Sequence, residues 1–297
     1  MRSQQKILAN DADQGTFDDL VIGLVGRGIQ RSRTPRMHMA EGVHQGQRII
    51  YQLLDVDQFP GGDRPLEQII DAAEICGFAG LNITFPYKID VIPLLDELSE
   101  NARAIGAVNT VVFKDGRRIG HNTDKVGFEE GFRQNMPGAI LDHVLQIGAG
   151  GAGVAVAHAF ASLGVKRLTI ADSDHARAVA LQGQIARAHD GISVDVANLT
   201  EMLDLTPDGV VNATPVGMAK LPGTAYPVSL LRPEMWVADI VYFPLQTELL
   251  AAARAKGCRV LPGSGMAVYQ AVRAFELFTG RQPDAARMKA TFEAMTS

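Results

Sequence analysis

Four short polar motifs in the first half of the chain carry the side chains most suited to chemistry. They combine hydroxyls, carboxamides, one lysine and one aspartate, and they occupy Arg31–His38, Asn82–Lys88, Gly106–Thr110 and His121–Asp124. We place these motifs at the ends of predicted strands, which is where α/β sheets bind ligands. Groups of this kind suit a small polyhydroxylated ligand better than an apolar one.

A glycine-rich motif in the second half predicts a dinucleotide site. Residues 148–153 read Gly-Ala-Gly-Gly-Ala-Gly, follow a predicted strand and open a helix, which is the context that G-x-G-x-x-G requires. The first glycine permits a tight turn, the second lets the backbone approach a diphosphate, and the third lets the helix pack on the strand. The helix N-terminus then offers N–H groups to the anion. The predicted cofactor-binding glycines are Gly148, Gly150, Gly151 and Gly153.

Asp172 is the acidic residue expected about 20 residues after such a motif, and it directly follows the predicted strand Arg167–Ala171. A carboxylate there accepts hydrogen bonds from the ribose hydroxyls and repels a 2′-phosphate. Arg167 and Arg177 could partly offset that repulsion, but neither stands in the turn itself. The sequence therefore predicts NAD rather than NADP.

The elements that must position these motifs alternate between strand and helix in the first half. Aliphatic runs predict strands, and apolar residues at helical spacing predict helices. The strands are Leu20–Gly26, Arg48–Asp55 and Ala79–Ile83, the helices are Pro65–Gly77 and Tyr87–Leu98, and a hairpin joins Val108–Phe113 to Arg117–Gly120. The polar segment Arg27–Pro35 is predicted to be a loop. This alternation favours an α/β sheet.

A second α/β rhythm follows a boundary helix at Asp124–Gly138. The predicted strands are Val144–Ile147, Arg167–Ala171, Ser193–Val196, Gly209–Val211 and Val237–Ile240, with helices between most of them. Two further helices, Ser264–Phe278 and Asp284–Met295, are expected to pack back on the first domain. At 297 residues, the length also favours two domains.

Composition excludes several classes of function. A net charge of −5 argues against nucleic acid as the main partner, because phosphate binding needs a surplus of Lys and Arg. The apolar stretch Val144–Val165 approaches the length of a membrane span, but its glycines fit a strand-to-helix turn better. The polar N-terminal residues lack a secretory signal, and Cys76 and Cys258 are predicted to be buried thiols in a reducing cytoplasm. Scattered histidines predict no metal site.

Over the range from Gly23 to about Gly280, the sequence resembles the shikimate dehydrogenases and quinate/shikimate dehydrogenases. In family order it carries the Ser/Thr loop before a Pro and a His, N-x-T-x-P-x-K, G-A-V-N-T, N-T-D-x-x-G, the glycine-rich turn, N-A-T-P-x-G-M and G-x-x-M-x-x-x-Q. The resemblance implies a two-domain fold with a cleft between the domains. We expect residues 1–125, joined by residues 266–297, to bind substrate, and residues 126–265 to form a Rossmann-type NAD-binding domain.

The resemblance also assigns roles. Lys88 and Asp124 would be the catalytic pair, with Lys88 in proton transfer and Asp124 orienting lysine and substrate; the sequence leaves open which of them holds the proton. Substrate contacts would come from Ser32, Thr34, Asn82, Thr84, Asn109, Tyr242 and Gln270. Further cofactor contacts would come from Asn212, Thr214, Val241, Gly263 and Met266, although Met266 could equally be a core residue.

The family more often has Ser at the position of Thr34. The pattern Ser-Arg-Thr-Pro at residues 32–35, together with Asp172, resembles the NAD-preferring quinate/shikimate branch. For that branch the physiological direction of the reaction would be oxidation, in catabolism. Shikimate and quinate both remain open as substrates, the oligomeric state is monomer or homodimer, and we expect a cytoplasmic location.

Three alternatives remain at this stage. One is a non-catalytic metabolite sensor of the same fold, against which the presence of both Lys88 and Asp124 argues. Another is a dehydrogenase for an aminated shikimate or quinate analogue. The third, a folate-linked dehydrogenase, is disfavoured by the Ser32/Thr34 loop and the Gln270 motif.

Overall fold

The computed structural model describes residues 19–295 and folds them into two six-stranded sheets, each with helices packed on it. The predicted α/β class is confirmed. Residues 1–18 and 296–297 lie outside the described residues, and with them most of the N-terminal segment in which we expected no secretory signal.

The first sheet is mixed. Its strands are β1 (Leu20–Gly26), β2 (Ile49–Asp55), β3 (Gly80–Ile83), β4 (Glu97–Leu98), β5 (Thr110–Lys114) and β6 (Arg117–His121), and its helices are α1 (Thr34–His44), α2 (Leu66–Ile75) and α3 (Glu100–Ile105). The strand order is β2-β1-β3-β5-β6-β4. The three strands β1, β2 and β3 run parallel, whereas β5 is antiparallel to both β3 and β6. Parallel strands end at one edge, so the loops after β1 and β3 lie side by side.

Two short-range predictions for this half have opposite outcomes. The hairpin between β5 and β6 is confirmed, and its turn residues Asp115 and Gly116 both have positive φ (53° and 70°), as a two-residue type I′ turn requires. The predicted helix Tyr87–Leu98 is wrong. In its place the chain forms turns, a 3₁₀ helix at Ile92–Leu94 and strand β4, because Pro93 removes a backbone donor from the middle of the segment.

Helix α1 is among the elements that the sequence analysis missed, as are helix α3 and the strand at Arg259–Pro262. Helix α1 begins at Thr34, inside the segment predicted as a loop, with Pro35 in its first turn, where proline is favoured. Its start fixes one end of the Ser/Thr loop. The solvent exposure of Cys76 also differs from expectation: Cys76 caps the C-terminus of α2 and is exposed, whereas Cys258 is buried as predicted.

The second sheet is entirely parallel, with strand order β12-β11-β10-β7-β8-β9, and helix α4 (Thr123–Asn135) leads into it. This is the order of a doubly wound dinucleotide-binding fold. The strands are β7 (His143–Ile147), β8 (Arg167–Ala171), β9 (Ser193–Ala197), β10 (Gly209–Asn212), β11 (Trp236–Asp239) and β12 (Arg259–Pro262), and the helices are α5 (Gly151–Leu163), α6 (His175–Ala188) and α7 (Glu248–Ala255). Chain order reverses between β7 and β10, so the ligand crevice is expected at their carboxyl ends.

The last two helices, α8 (Ser264–Thr279) and α9 (Ala285–Glu293), return to the first sheet. Phe275, Phe278 and Phe292 join a core cluster with Ile22 and Tyr51 of that sheet. Burying three aromatic side chains supplies several kcal/mol of hydrophobic stabilisation, at roughly 2–3 kcal/mol each. This packing ties the end of the chain to its beginning.

Helices α4 and α8 pack closely where they pass between the two sheets. A Cβ built on Gly127 would lie 2.6 Å from the backbone nitrogen of Gln270 and 2.7 Å from the carbonyl oxygen of Met266. Any larger residue would push the helices apart, so glycine here sets the distance between α4 and α8. Among residues 19–295, no helix is both long and apolar enough to cross a membrane.

Candidate active site

A cleft of about 890 Å³ lies between the two sheets at the carboxyl ends of their strands. It brings together both predicted catalytic residues and every predicted substrate-binding residue, from six separate segments of the chain. Those lining the cleft are Ser32, Thr34, Asn82, Thr84, Lys88, Asn109, Asp124, Tyr242 and Gln270. Gly263, Met266 and Ala152 of the glycine-rich turn also line the cleft.

Lys88 and Asp124 form an ion pair in this cleft, with 2.6 Å between Nζ and Oδ2. Lys88 lies in the turn after β3, where its carbonyl accepts a hydrogen bond from the Val108 N–H at 2.8 Å. Asp124 lies in the first turn of α4, where the Asn122 carboxamide caps the helix and fixes the start of the turn. The lysine side chain is 26% exposed and the aspartate 11%, so the pair is held firmly and still opens on the cleft.

Two buried asparagines beside the pair are fixed by internal hydrogen bonds. The Tyr51 hydroxyl donates to Asn82 Oδ1 at 2.7 Å, and Asn82 Nδ2 donates to Thr110 Oγ1 at 3.0 Å. Asn109 Oδ1 accepts the Thr123 N–H at 2.7 Å, and its Nδ2 donates to Thr123 Oγ1 at 3.0 Å. Each carboxamide oxygen is thus occupied. Asn82 Nδ2 also donates to the Asn109 carbonyl at 3.4 Å, whereas the Asn109 amide retains a second N–H that can serve a hydroxyl ligand.

The Ser32/Thr34 loop is anchored by Asp55, the last residue of β2. Its buried carboxylate accepts the Gly28 and Ile29 N–H groups at 3.0 and 3.2 Å. Asp55 thereby fixes the start of the loop whose residues Ser32 and Thr34 line the cleft. Four hydrogen bonds lower the pKa of Asp55 and keep it ionised.

Gln270 and Tyr242 approach from the opposite wall. Gln270 Nε2 donates to the Ala267 carbonyl at 3.1 Å within α8, and its side chain faces the Asn109 cluster through Thr123. Tyr242 follows β11 and is 48% exposed within the cleft. Desolvation by the cleft walls raises the pKa of its phenol, so the hydroxyl remains a hydrogen-bond donor at neutral pH.

The glycine-rich turn has the shape that a diphosphate requires. Gly148 has φ = +106°, and a Cβ there would lie 2.6 Å from the Ala213 carbonyl oxygen; a Cβ on Gly153 would lie 2.3 Å from the Gly148 carbonyl oxygen. By contrast, Cβ atoms on Gly150 and Gly151 would meet open space. Open backbone at the start of α5, with N–H groups that have no intrahelical partner, fits a dinucleotide.

Asp172 lies outside the cleft, at the end of β8 beside this turn. Its Oδ2 accepts the Ala149 N–H at 2.7 Å and its Oδ1 accepts the Asp174 N–H at 2.8 Å. Both nearby arginines are already paired, Arg167 with Asp195 at 2.6 Å and Arg177 with Asp174 at 3.1 Å. The carboxylate is therefore held at the turn without a cationic partner from either arginine.

Asn212, Thr214 and Val241 also lie outside the cleft lining, at the ends of β10 and β11. The Asn212 carboxamide oxygen accepts both the N–H and the hydroxyl of Thr214, at 3.0 and 2.6 Å. Sequence reasoning missed two acidic residues that fix the loops at strand ends, Asp55 at the end of β2 in the first sheet and Asp239 at the end of β11 in the second. The signal available for both was an acidic residue closing an apolar strand.

Two family models match the chain, the shikimate dehydrogenase substrate binding domain over residues 24–111 and the shikimate 5′-dehydrogenase C-terminal domain over residues 263–291. The quinate/shikimate dehydrogenase (NAD(+)) of Corynebacterium glutamicum (strain R) is 50% identical over 279 residues, covering 93% of this chain and 98% of that protein. This chain belongs to the shikimate dehydrogenase family. The resemblance read from the motifs is confirmed.

A relative of the same identity is named for the other cofactor. The shikimate dehydrogenase (NADP(+)) of Streptomyces avermitilis is also 50% identical, over 93% of this chain and 95% of its own. The solved quinate dehydrogenase from Corynebacterium glutamicum in complex with NAD has a TM-score of 0.90 at 48% identity, and the match covers 94% of this chain and all of that one. Two relatives with the same identity to this chain are thus named for different cofactors, NAD(+) and NADP(+).

Proposed function

We propose that this chain is an NAD-dependent dehydrogenase that interconverts shikimate and 3-dehydroshikimate, quinate and 3-dehydroquinate, or both. The observation that carries the proposal is the Lys88–Asp124 pair, which faces a cleft rich in hydrogen-bonding groups whose other side is the glycine-rich turn. A binding protein needs no proton acceptor there, whereas oxidation of a secondary alcohol does.

Different residues of the cleft bind the carboxylate and the ring hydroxyls of a hydroxylated ring acid. Ser32 and Thr34 donate their hydroxyls to the carboxylate, at the end of the cleft where α1 begins. Asn109 uses its remaining N–H for a ring hydroxyl, and Asn82 exchanges its long 3.4 Å contact with the Asn109 carbonyl for another one. Thr84, Gln270 and Tyr242 supply further contacts from the surrounding walls.

In the oxidation direction Lys88 acts as the neutral amine: its Nζ accepts the proton of the reacting hydroxyl, and the ammonium that results forms the ion pair with Asp124, which orients it through the 2.6 Å hydrogen bond. Because the asparagines fix the ring in one pose, the hydroxyl meets Nζ and the ring carbon faces the cofactor side. When bound, NAD supplies the acceptor for the hydride that leaves that carbon.

The second sheet holds the dinucleotide. Gly148, Gly150, Gly151 and Gly153 form the diphosphate turn, and Asp172 binds the adenosine ribose and disfavours a 2′-phosphate. The nicotinamide end is served by the segments that follow β10, β11 and β12, with Asn212, Thr214, Val241, Gly263 and Met266.

The two sheets accordingly form the functional units of the chain. Residues 1–125 with 266–297 make the substrate-binding unit, and residues 126–265 make the dinucleotide-binding unit. The free thiols of Cys76 and Cys258 suit a reducing compartment, so we place the enzyme in the cytoplasm. We further propose that it is a monomer or homodimer and that it oxidises its substrate for catabolism.

The direct test is steady-state kinetics on a grid of shikimate and quinate against NAD and NADP. We expect turnover with NAD and at least one of the acids. Binding of both acids without turnover would favour the sensor. The absence of both binding and turnover would refute the proposal.

Substitution of Lys88 tests the proton-transfer role. Lys88→Ala should lower kcat by about 10²–10⁴, the contribution of a general base, while the Kd for shikimate changes much less. Lys125→Ala is the matched control, since that lysine is paired with Glu129 at 3.2 Å on the same helix as Asp124. Equal losses of kcat and substrate affinity in Lys88→Ala would argue against proton transfer.

A further inference from the structure

Asp239 is a buried carboxylate at the last position of β11, only 2% exposed, and it stands in register with Asn212 at the end of β10. Three donors converge on it. Asn212 Nδ2 and the Val241 N–H donate to Oδ1, both at 3.0 Å, and the Thr247 hydroxyl donates to Oδ2 at 2.7 Å. One side chain thereby joins the ends of two neighbouring strands to the start of α7.

Through Asn212, the carboxylate controls the turn after β10. Asn212 Nδ2 also donates to the Val216 carbonyl at 2.8 Å, while its Oδ1 accepts both Thr214 donors. The turn 212–216 is therefore wrapped around one carboxamide, whose orientation is set by Asp239. A methyl of Thr214 in this turn would lie 2.9 Å from a Cβ on Gly148, so the turn abuts the first glycine of the diphosphate turn.

Through Val241, the same carboxylate controls the turn after β11. Ile240 and Tyr242, on either side of Val241, line the cleft. A Cβ on Gly263 would lie 2.3 Å from the Ile240 carbonyl oxygen and 2.8 Å from that of Val241, so this turn also packs tightly on the start of α8. Displacement of Val241 by a fraction of an ångström would alter the cofactor wall of the cleft.

We propose that Asp239 is a positioning residue for the reaction, which holds the turns after β10 and β11 in the one arrangement that presents the nicotinamide ring to the Lys88 side of the cleft. It touches neither substrate nor the diphosphate turn and acts through Asn212 and Val241. The inference rests on the proposed function and adds to it a residue that the family motifs did not single out.

The charge of Asp239 is part of the arrangement. All three partners donate to the carboxylate. An acid or amide could keep the two N–H donors on Oδ1, but the Thr247 hydroxyl would then have to turn from donor to acceptor at the other atom, so only the carboxylate receives all three as they stand. Burial raises the pKa of Asp239 to about 6, because desolvation outweighs the three hydrogen bonds. A buried carboxylate without a cationic partner costs stability, and such groups cluster at functional sites.

Asp239→Asn provides the test, because it keeps the volume and one oxygen but removes the charge. We expect kcat with NAD to fall about 10- to 100-fold, the size of effect that a small misplacement of the reacting groups produces. The Kd for ADP, which occupies only the adenosine half of the site, should stay within about twofold of wild type, as should the Kd for shikimate. Thr247→Ala, which removes a single donor, should give a smaller loss of kcat that Thr247→Ser restores.

Asp208→Asn is the matched control. Asp208 also accepts a backbone N–H, that of His143 at 2.7 Å, but at the opposite end of the same sheet. It should leave kcat unchanged even if stability falls. Unchanged kcat in Asp239→Asn, or parallel losses of ADP binding and kcat, would overturn the inference. Absence of turnover in the wild type would instead refute the proposed function. In that case the Kd values of Asp239→Asn for NAD and for ADP would still test the positioning role, because only NAD has a nicotinamide end.

Discussion

Cofactor selectivity is the prediction for which the structure defines the perturbation most closely. Asp172 has one carboxylate oxygen on the Ala149 N–H and the other on the Asp174 N–H, and the nearby Arg167 and Arg177 are committed to other aspartates. Asp172→Asn removes the charge and keeps an acceptor for the turn. Asp172→Ala removes both.

The expected magnitude follows from two contributions. A hydrogen bond between the carboxylate and the ribose hydroxyls of NAD contributes about 1.5–3 kcal/mol. Repulsion of a doubly charged 2′-phosphate about 5 Å away contributes roughly 1–2 kcal/mol in solvent-exposed surroundings. Since Asp172 is partly exposed, we expect the preference for NAD to narrow by about 1–3 kcal/mol, or about 5- to 140-fold. Loosening of the glycine turn affects both cofactors alike and cancels in the ratio.

The assay is the ratio of kcat/KM for NAD to that for NADP, measured with the better of the two acids. Asp172→Asn should lose the repulsion and part of the attraction, and Asp172→Ala should lose both. Asp174→Asn is the comparison variant. Asp174 is an exposed carboxylate in the same turn, its Oδ1 caps α6, and its other oxygen holds Arg177, so the variant should change the ratio in the same direction but by less. An unchanged ratio in both Asp172 variants, or an equal change in Asp174→Asn, would refute the assignment of selectivity to Asp172.

Two further predictions concern stability. His38 is fully buried, neither ring nitrogen has a partner among residues 19–295, and burial lowers its pKa to about 3. His38 then binds a proton in the unfolded chain but not in the folded chain. The free energy of unfolding therefore decreases as pH falls below 6.5, by about 2 kcal/mol at pH ~5. Urea unfolding of His38→Phe should show less acid sensitivity than that of wild type or of the exposed His44→Phe, and identical pH profiles would contradict this account. Arg287 pairs with the fully buried Glu41 at 2.7 Å, so Arg287→Met should cost about 1–3 kcal/mol in the same assay. The surface change Lys289→Met should lower the free energy of unfolding by less than about 0.5 kcal/mol. Equal losses in the two variants would show that the pair of Arg287 with Glu41 stabilises the fold no more than a surface ion pair does.

Local sequence determined the parts of this protein that depend on short-range rules. Strand-to-helix alternation gave the α/β class, and the turn of the β5–β6 hairpin follows from the φ > 0 that Asp115 and Gly116 tolerate. The glycine-rich turn could be read directly from the spacing of its glycines after a strand, and the structure shows the reasons at Gly148, which has a positive φ, and at Gly153, where a Cβ would meet the Gly148 carbonyl. The motif resemblance extended this reading to Lys88 and Asp124.

Short-range rules failed where neighbours distant in sequence or a single residue decided the outcome. Apolar spacing predicted a helix at Tyr87–Leu98, but Pro93 interrupts it and β4 pairs with a strand formed about twenty residues later. Cys76 was expected in the core from its apolar neighbours, yet it lies at the exposed C-terminus of α2.

Only the tertiary structure could show which polar groups act together. Asp239 reads in sequence as one acidic residue at the end of a strand, and its meaning appears once β10 lies beside β11 and Asn212 and Thr247 converge on it. Likewise, the 2.6 Å contact of Lys88 with Asp124 requires β3 and α4 to meet at one edge. Sequence specifies the chemistry a side chain can perform, but its partners are set by sheet order and helix packing, which are properties of the whole chain.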